Sequence, residues 1–298
     1  MELRDIEIFL VLAEELHFGR TAARLHVSTA RVSQSIKQQE RLVGAALFER
    51  TSRAVRLTPL GEQLRDDLRP HYDGLGLGLE RARLAAQGVT GILRVGLIPN
   101  FANDLNAVWD AFRAAHTACA LHILSAPFLD PFAGLRRGTV DVLIAWLPVE
   151  EPDLTVGPVV CTEPRVLAVA STHVLAGSES VTLEVLGDGH GVATAQPHLP
   201  AYWEEAYIPA TTPSGRPVEP RLQVTNFEEI LMLVSTGQMI HPIGAHATRY
   251  FPRPDITYLP LTDAPDVRWA LIWRSDTRNP LVADLARVVR RLGTIEVR

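Results

Sequence analysis

At 298 residues, with 47% apolar residues and a mean hydropathy of +0.08, the chain is long enough for two or more buried cores. No apolar run approaches a membrane span, and acidic residues interrupt the apolar stretches at the N-terminus, which argues against a secretory leader. Two cysteines, Cys119 and Cys161, are too few for a disulfide framework, so a cytoplasmic protein is expected.

The net charge of −5 conceals an asymmetry. Between Arg20 and Arg56 there are eight basic residues against only Glu40 and Glu49, a net +6. Such a footprint on an otherwise acidic chain suits either a polyanion met by one domain or a solvated basic face.

Residues 3–16 carry Leu3, Ile6, Phe9, Leu10 and Ala13 at helical spacing. A short helix is expected over 20–25, then a tight turn at His26-Val27-Ser28 with Val27 as an apolar plug and Ser28 as N-cap. A third helix follows to about residue 38, with Val32 and Ile36 facing inward and Thr29, Ala30, Arg31, Ser33, Gln34 and Lys37 outward. Helix, tight turn and a second helix with a polar, non-acidic outer face make a helix-turn-helix, whose second helix enters the DNA major groove. Residues 47–50 and 55–58 read as two short strands of a hairpin tipped by Arg53, which could reach a phosphate or the minor groove. On this pattern Gln34 suits adenine, Arg31 suits guanine, and Ser28, Ser33, Lys37, Arg50 and Arg53 complete the candidate DNA contacts with Thr29.

Thr58-Pro59 opens a long helix to about 87. Leu68, Tyr72, Leu75, Leu79, Ala82 and Ala86 alternate spacings of four and three. That seam fits a helix paired with its own copy or one packed on its own domain. Gly74, Gly76 and Gly78 each weaken it by roughly 1 kcal/mol relative to Ala, so a bend or close helix approach is expected there. Beyond Gly88–Gly91 strands and helices alternate. Strands are expected at 92–97, 121–124, 142–145, 166–170, 191–194, 221–224, 239–243, 256–259 and 269–273. Helices are expected at 102–115, after a capping box at Asn226, and at 280–292. This is an α/β domain with largely parallel sheets.

Seven segments in order across the chain resemble the LysR-type transcriptional regulators. They are FGRTAARLHVST at 18–29, VSQSIK at 32–37, GAALFERTSRAVRLT at 44–58, LRVGLIP at 93–99, LRRGTVDVLIA at 135–145, HVLA at 173–176 and VSTGQMIHPI at 234–243. The resemblance implies a winged helix-turn-helix over 1–58, a dimerising linker helix over 59–89 and a two-lobed, periplasmic-binding-protein-like α/β effector domain over 90–298. The first lobe spans about 90–160 plus 267–298, and the second about 161–266. It further implies tetramers on interrupted palindromic DNA, a small-molecule effector in the cleft between the lobes, RNA polymerase as a possible partner, and no enzyme activity or cofactor. Three positions depart from the family pattern. Thr29-Ala30 replaces a frequent Gln-Pro, Gln34 a frequent Arg, and Gln39 a frequent Leu. The first two affect which operator is read, and Gln39 is expected to loosen packing behind the reading helix.

For the effector, Asn100 and Phe101 follow a strand end and precede a helix, where a carboxylate could dock. By resemblance, Thr194 to His198 and Asn226-Phe227 form the opposite wall, with Pro127, Phe128 and Trp146 nearby. No Arg stands at Asn100, Thr194 or Phe227, which disfavours a highly charged effector. His116, Cys119 and His122 have a spacing that could ligate a metal, but strand alternation would scatter them, and no metal is expected. Cys119 and Cys161 read as buried, inert thiols rather than a redox pair. An architectural DNA-binding protein with an empty cleft, and an enzyme or solute-binding domain fused to a DNA-binding head, are the alternatives.

Overall fold

A computed structural model describes residues 2–50, 54–86, 90–98, 101–195, 199–219 and 221–297, without the side chains at 80, 81 and 84. The chain divides into two compact units, 1–84 and 85–298. No described helix is long and apolar enough to cross a membrane.

In the first unit α1 (Leu3–Glu15), α2 (Phe18–Leu25) and α3 (Thr29–Val43) enclose a core of Ile8, Phe9, Leu12, Ala22, Val32, Ile36 and Leu47. Each helix is stopped by a left-handed residue, Leu16, His26 and Gly44 respectively. Gly44 tolerates that conformation without a Cβ penalty, and it carries α3 five residues past the expected end. His17 caps α2, its Nδ1 accepting from the Gly19 and Arg20 amides at 3.0 and 3.1 Å. Ser28 caps α3 through Arg31 N at 3.2 Å, as its sequence position suggests. Strands β1 (Phe48–Arg50) and β2 (Val55–Leu57) form the antiparallel hairpin. Thr58 Oγ1 accepts from Gly61 N and donates to the Ala46 carbonyl, fixing the start of α4 (Pro59–Ala86).

The seam of α4 is split. Leu64, Leu68 and Tyr72 pack on the core of their own unit. Leu75 and Leu79 remain 56% and 74% exposed, leaving an apolar stripe uncovered. Among the described residues, a Cβ at Gly74 or Gly76 would meet nothing within 4 Å. The helical assignment runs unbroken through Pro70 and the glycines.

In the second unit β3 (Gly91–Leu97), α5 (Asn106–Ala115), β4 (Cys119–Ser125), α6 (Ala133–Arg136), β5 (Val142–Trp146) and β6 (Leu154–Glu163) come first. They are followed by β7 (Arg165–Ala170), β8 (Val192–Ala195), α7 (Ala201–Glu205), β9 (Arg221–Val224) and α8 (Phe227–Ser235). Then come β10 (His241–Gly244), α9 (Ala247–Tyr250), β11 (Ile256–Pro260), β12 (Val267–Arg274), α10 (Pro280–Leu292) and β13 (Ile295–Glu296). One six-stranded sheet has the order β13-β6-β12-β5-β3-β4; a second has β10-β7-β11; β8 and β9 pair separately. The sheets are mixed rather than largely parallel. The six-stranded sheet receives β12 antiparallel to both β5 and β6, and every pair in the three-stranded sheet is antiparallel. The cause is the return of the chain late in the sequence: β12 enters the middle of a sheet begun by parallel strands.

Two cores result. One is built on the six-stranded sheet with α5 and α10, and the other on β7, β10, β11 and α8. The first also takes in Ala195, Leu199 and Trp203, residues that sequence reasoning places in the second lobe. The reason is a stacked pair. Trp146 and Trp203 lie 3.5 Å apart at 7°, and each indole N–H donates to the other's carbonyl, at 3.2 and 3.0 Å.

Candidate functional site

The outer surface of α3 follows from its periodicity. Val32, Ser35, Ile36 and Gln39 are buried, so Thr29, Ala30, Gln34, Lys37, Gln38 and Arg41 are exposed, with Ser33 half-buried among them. Ala30, Ser33, Gln34, Lys37, Gln38 and Arg41 line one shallow concavity with no acidic side chain. A helix ending near 38 does not include Arg41, and Gln38 and Arg41 follow from the helical step beyond Gln34 and Lys37 once α3 runs to Val43.

Two of the expected contact residues are held from behind. Arg31 Nη2 donates to Asp5 Oδ1 at 3.3 Å, pointing its guanidinium back to α1. Arg50 Nη2 donates to Glu40 Oε2 at 2.8 Å, and its guanidinium lies 5.0 Å from the Phe18 ring centroid. Asp5 is 5% exposed and also accepts from Ser35 Oγ at 2.7 Å and Glu2 N at 3.2 Å. Burial raises the Asp5 pKa, but the Ser35 and Glu2 hydrogen bonds and the Arg31 charge outweigh it and hold the carboxyl below its ordinary 3.8. Gln39 does not loosen this region. Its side-chain amide donates to the Asp5 carbonyl at 2.8 Å and to Ser35 Oγ at 3.2 Å, so a polar stitch replaces apolar packing between α1 and α3. Arg53, at the expected hairpin tip, lies outside the described residues.

In the second unit a cavity of about 320 Å³ lies between the two cores. Of the expected effector contacts it collects Pro127, Phe128, Trp146, Asn226 and Phe227. Asn100 and His198 lie outside the described residues. Phe101 does not line the cavity: it is fully buried, edge-on to Trp269 at 5.3 Å and to His246 at 5.4 Å. Thr194 is also absent from the wall. Side chains alternate along β8, and Ala193 and Ala195 take the inward positions. Asn226 serves the helix as well, its Oδ1 capping α8 through Glu229 N at 2.9 Å.

Further lining residues come from distant segments. Tyr207, Phe251 and Trp269 extend the aromatic wall, and Glu204, His241 and His246 are polar. Behind His246 and Trp269 lies Glu163, 1% exposed. Its carboxylate accepts from Trp269 Nε1 at 2.7 Å, from His246 N at 2.8 Å and from His246 Nδ1 at 2.9 Å. Glu163 ends β6, and Trp269 lies beside it on β12, whereas His246 follows β10. The carboxylate therefore ties the six-stranded sheet to the three-stranded one beside the cavity. His241 is 6% exposed, and its Nδ1 has no hydrogen-bond partner among the described residues. Burial, helped by the nearby Arg165 charge, pushes its pKa down to about 3, so the imidazole is neutral at working pH. Glu204 Oε1 accepts from Ala195 N at 2.8 Å. No Lys or Arg is among the described lining residues.

The remaining sequence candidates separate. His116 Nε2 lies 3.3 Å from Asp284 on α10. His116, Cys119 and His122 form no common ligand group, and the described residues hold no cluster of three metal-ligating side chains. Cys119 is on β4 and Cys161 on β6, with three strands between them in the sheet, roughly 19 Å at ordinary strand spacing and beyond disulfide reach. Burial pushes both thiols above their usual range.

Residues 3–62 match the family of bacterial regulatory helix-turn-helix proteins, lysR family, and residues 86–293 match the LysR substrate binding domain. The HTH-type transcriptional regulator AlsR of Bacillus subtilis is 29% identical over 284 residues, 95% of this chain and 93% of its own. IlvR of Caulobacter vibrioides is 28% identical over 312 residues, 99% of each chain. Among solved structures, the LysR family regulator CbnR superposes with a TM-score of 0.69 at 22% identity, over 98% of this chain and 99% of its own. Full-length CbnR complexed with its target DNA superposes with a TM-score of 0.64 at 22% identity, over 98% of this chain and 100% of its own. With a helix-turn-helix whose outer face is free of acid, and a cavity between two α/β cores, this chain belongs to the LysR family and is a DNA-binding transcription regulator gated by an effector, not an enzyme.

Proposed function

We propose that the effector occupies the cavity between the two cores and is an uncharged, largely apolar small molecule with one hydroxyl or carbonyl group. The observation that carries this reading is the wall itself. Phe128, Trp146, Phe227 and Trp269 supply apolar surface, the neutral His241 supplies one N–H and one lone pair, and the charged lining residue is the carboxylate-bearing Glu204. An anion would lose its hydration without meeting a cation there. Benzyl alcohol is expected to quench tryptophan emission through Trp146 and Trp269, with the response lost in Phe227→Ala. A benzoate response that Phe227→Ala abolishes would show that the cavity takes an anion instead. Silence toward benzyl alcohol, benzoate and benzylamine alike would count against the cavity as the effector site.

On the DNA side, Thr29, Ser33, Gln34 and Lys37, with Gln38 and Arg41 beyond them, form the reading surface. Ser28 keeps its hydroxyl hydrogen for a phosphate, while Arg31 and Arg50 brace the helix and hairpin. Gln34→Ala is expected to change base preference at one operator position by about 1–3 kcal/mol, read by selection from random sequences. An unchanged preference would remove Gln34 from base reading. The uncovered Leu75–Leu79 stripe supports pairing of α4 with a second copy, and so a dimer or tetramer on an interrupted palindrome. Action in the cytoplasm and recruitment of RNA polymerase complete the proposal.

A further inference from the structure

A second opening lies in the effector unit, distinct from the cavity. It is a groove of about 570 Å³ whose walls include Trp146, Pro148, Tyr207, Arg165, Asp266 and Arg268. Arg165 is the first residue of β7 and only 4% exposed. It donates to the Tyr207 carbonyl, and its guanidinium carbon lies 4.9 Å from the Tyr207 ring centroid. Among the described residues its Nε has no hydrogen-bond partner, and no Asp or Glu forms an ion pair with it. A buried guanidinium is ordinarily matched by a carboxylate, because removing the charge from water is costly and only an opposite charge with hydrogen bonds offsets it. Burial accordingly pulls the Arg165 pKa down, with no carboxylate to raise it. On the same groove Arg268 is exposed and also makes no ion pair among the described residues. The carboxylate present is that of Asp266, exposed on the wall.

We infer that this groove is a second ligand site, which takes a small oxyanion, a carboxylate or a phosphate, between Arg165 and Arg268. Arginine suits the role because its planar fork of N–H donors matches both kinds of anion. Asp266 sets a limit on the charge the groove accepts, favouring a small anion over a polyanion. The site is also placed to communicate. Tyr207 and Trp146 belong to the walls of both groove and cavity, so an anion that fixes Arg165 against Tyr207 acts on the surface facing the effector. Any resulting change in effector affinity is returned as an equal change in anion affinity.

The test uses the full-length protein in thermal unfolding, with sodium phosphate and sodium acetate titrated at constant ionic strength against sodium chloride. A saturable rise is expected, of about 3–6 °C at ten times the dissociation constant. The anion giving the larger rise identifies the source chemistry. Arg165→Met should abolish the rise, and Arg268→Gln should weaken apparent affinity about tenfold. If Arg165→Met does not fold, Arg268→Gln decides, since its side chain is exposed. A rise no greater than that with chloride, or one that persists unchanged in the variants that fold, overturns the inference. The benzyl alcohol response is read separately, through Phe227 and without added anion, so failure of one reading does not entail failure of the other.

Discussion

Replacing Glu163 by alanine is expected to destabilise the effector unit by about 3–5 kcal/mol, lowering its melting temperature by roughly 6–20 °C. The carboxylate is the shared acceptor for the Trp269 indole N–H, the His246 amide and the His246 ring nitrogen. All three donors belong to buried residues, and each one left unpaired costs about 1–3 kcal/mol, though such costs do not simply add. Glu163→Gln should lose less, because it keeps one acceptor oxygen while turning an amide toward a donor. Gly244→Ala tests the same contact from the other side. A Cβ there would lie 2.2 Å from Glu163 Oε1, so the carboxylate would have to move. Calorimetry of the full chain should show the loss in the effector transition, with the DNA-binding unit melting as before. The effector response should disappear in parallel, because Trp269 and His246 are both cavity walls. A Glu163→Ala protein with parental melting and effector response would refute the assignment of this carboxylate as the tie between the sheets.

Asp5→Ala should have the largest effect in the first unit, about 2–3 kcal/mol. The buried carboxylate holds Ser35 and Arg31 of α3, so its removal leaves a buried hydroxyl and frees the guanidinium. The exposed Arg31 pair contributes little on its own; the buried Ser35 bond carries most of the loss. Operator affinity should fall with stability, since α3 is set against α1 by these contacts. The pH dependence has a definite sign. The folded pKa lies below the ordinary 3.8, so the contribution is present above about pH 4 and is lost as pH falls through the folded value. Urea unfolding of the parent between pH 5 and 2.5 should show this slope, reduced in Asp5→Ala. Equal acid sensitivity in both proteins would show that Asp5 is not responsible.

Local signals and packing disagree at several places in the chain. β6 is not legible in the sequence because it contains Gly157 and Pro158, residue types that ordinarily interrupt strands. In the fold Gly157 leaves room for Trp273, whose ring would lie 2.1 Å from a Cβ, and the pairing with β12 shifts register nearby. A glycine that makes space for an aromatic ring is indistinguishable in sequence from one that makes a turn. The position of Phe101 after a strand end suggests the effector site, but Trp269, far along the chain, packs edge-on against it in the core. Thr194 stands one residue away from the inward positions of Ala193 and Ala195, which in a strand is the difference between two faces.

Seven segments of the amino-acid sequence carry the resemblance to the LysR family, and local patterning determined the helix-turn-helix, the capped starts of α3 and α4, and the alternating strands and helices. The locally patterned features are written in spacings of two to seven residues, and periodicity and capping act over that range. Tertiary structure alone decided which charged and polar groups meet. Glu163 finds its partners 83 and 106 residues away. Arg31, which on its own helix looks free to read a base, turns to Asp5, and Arg165 is buried without an ion pair among the described residues. Burial and pairing depend on how the sheets close around one another, so the chemistry of both openings emerges only when the chain is folded.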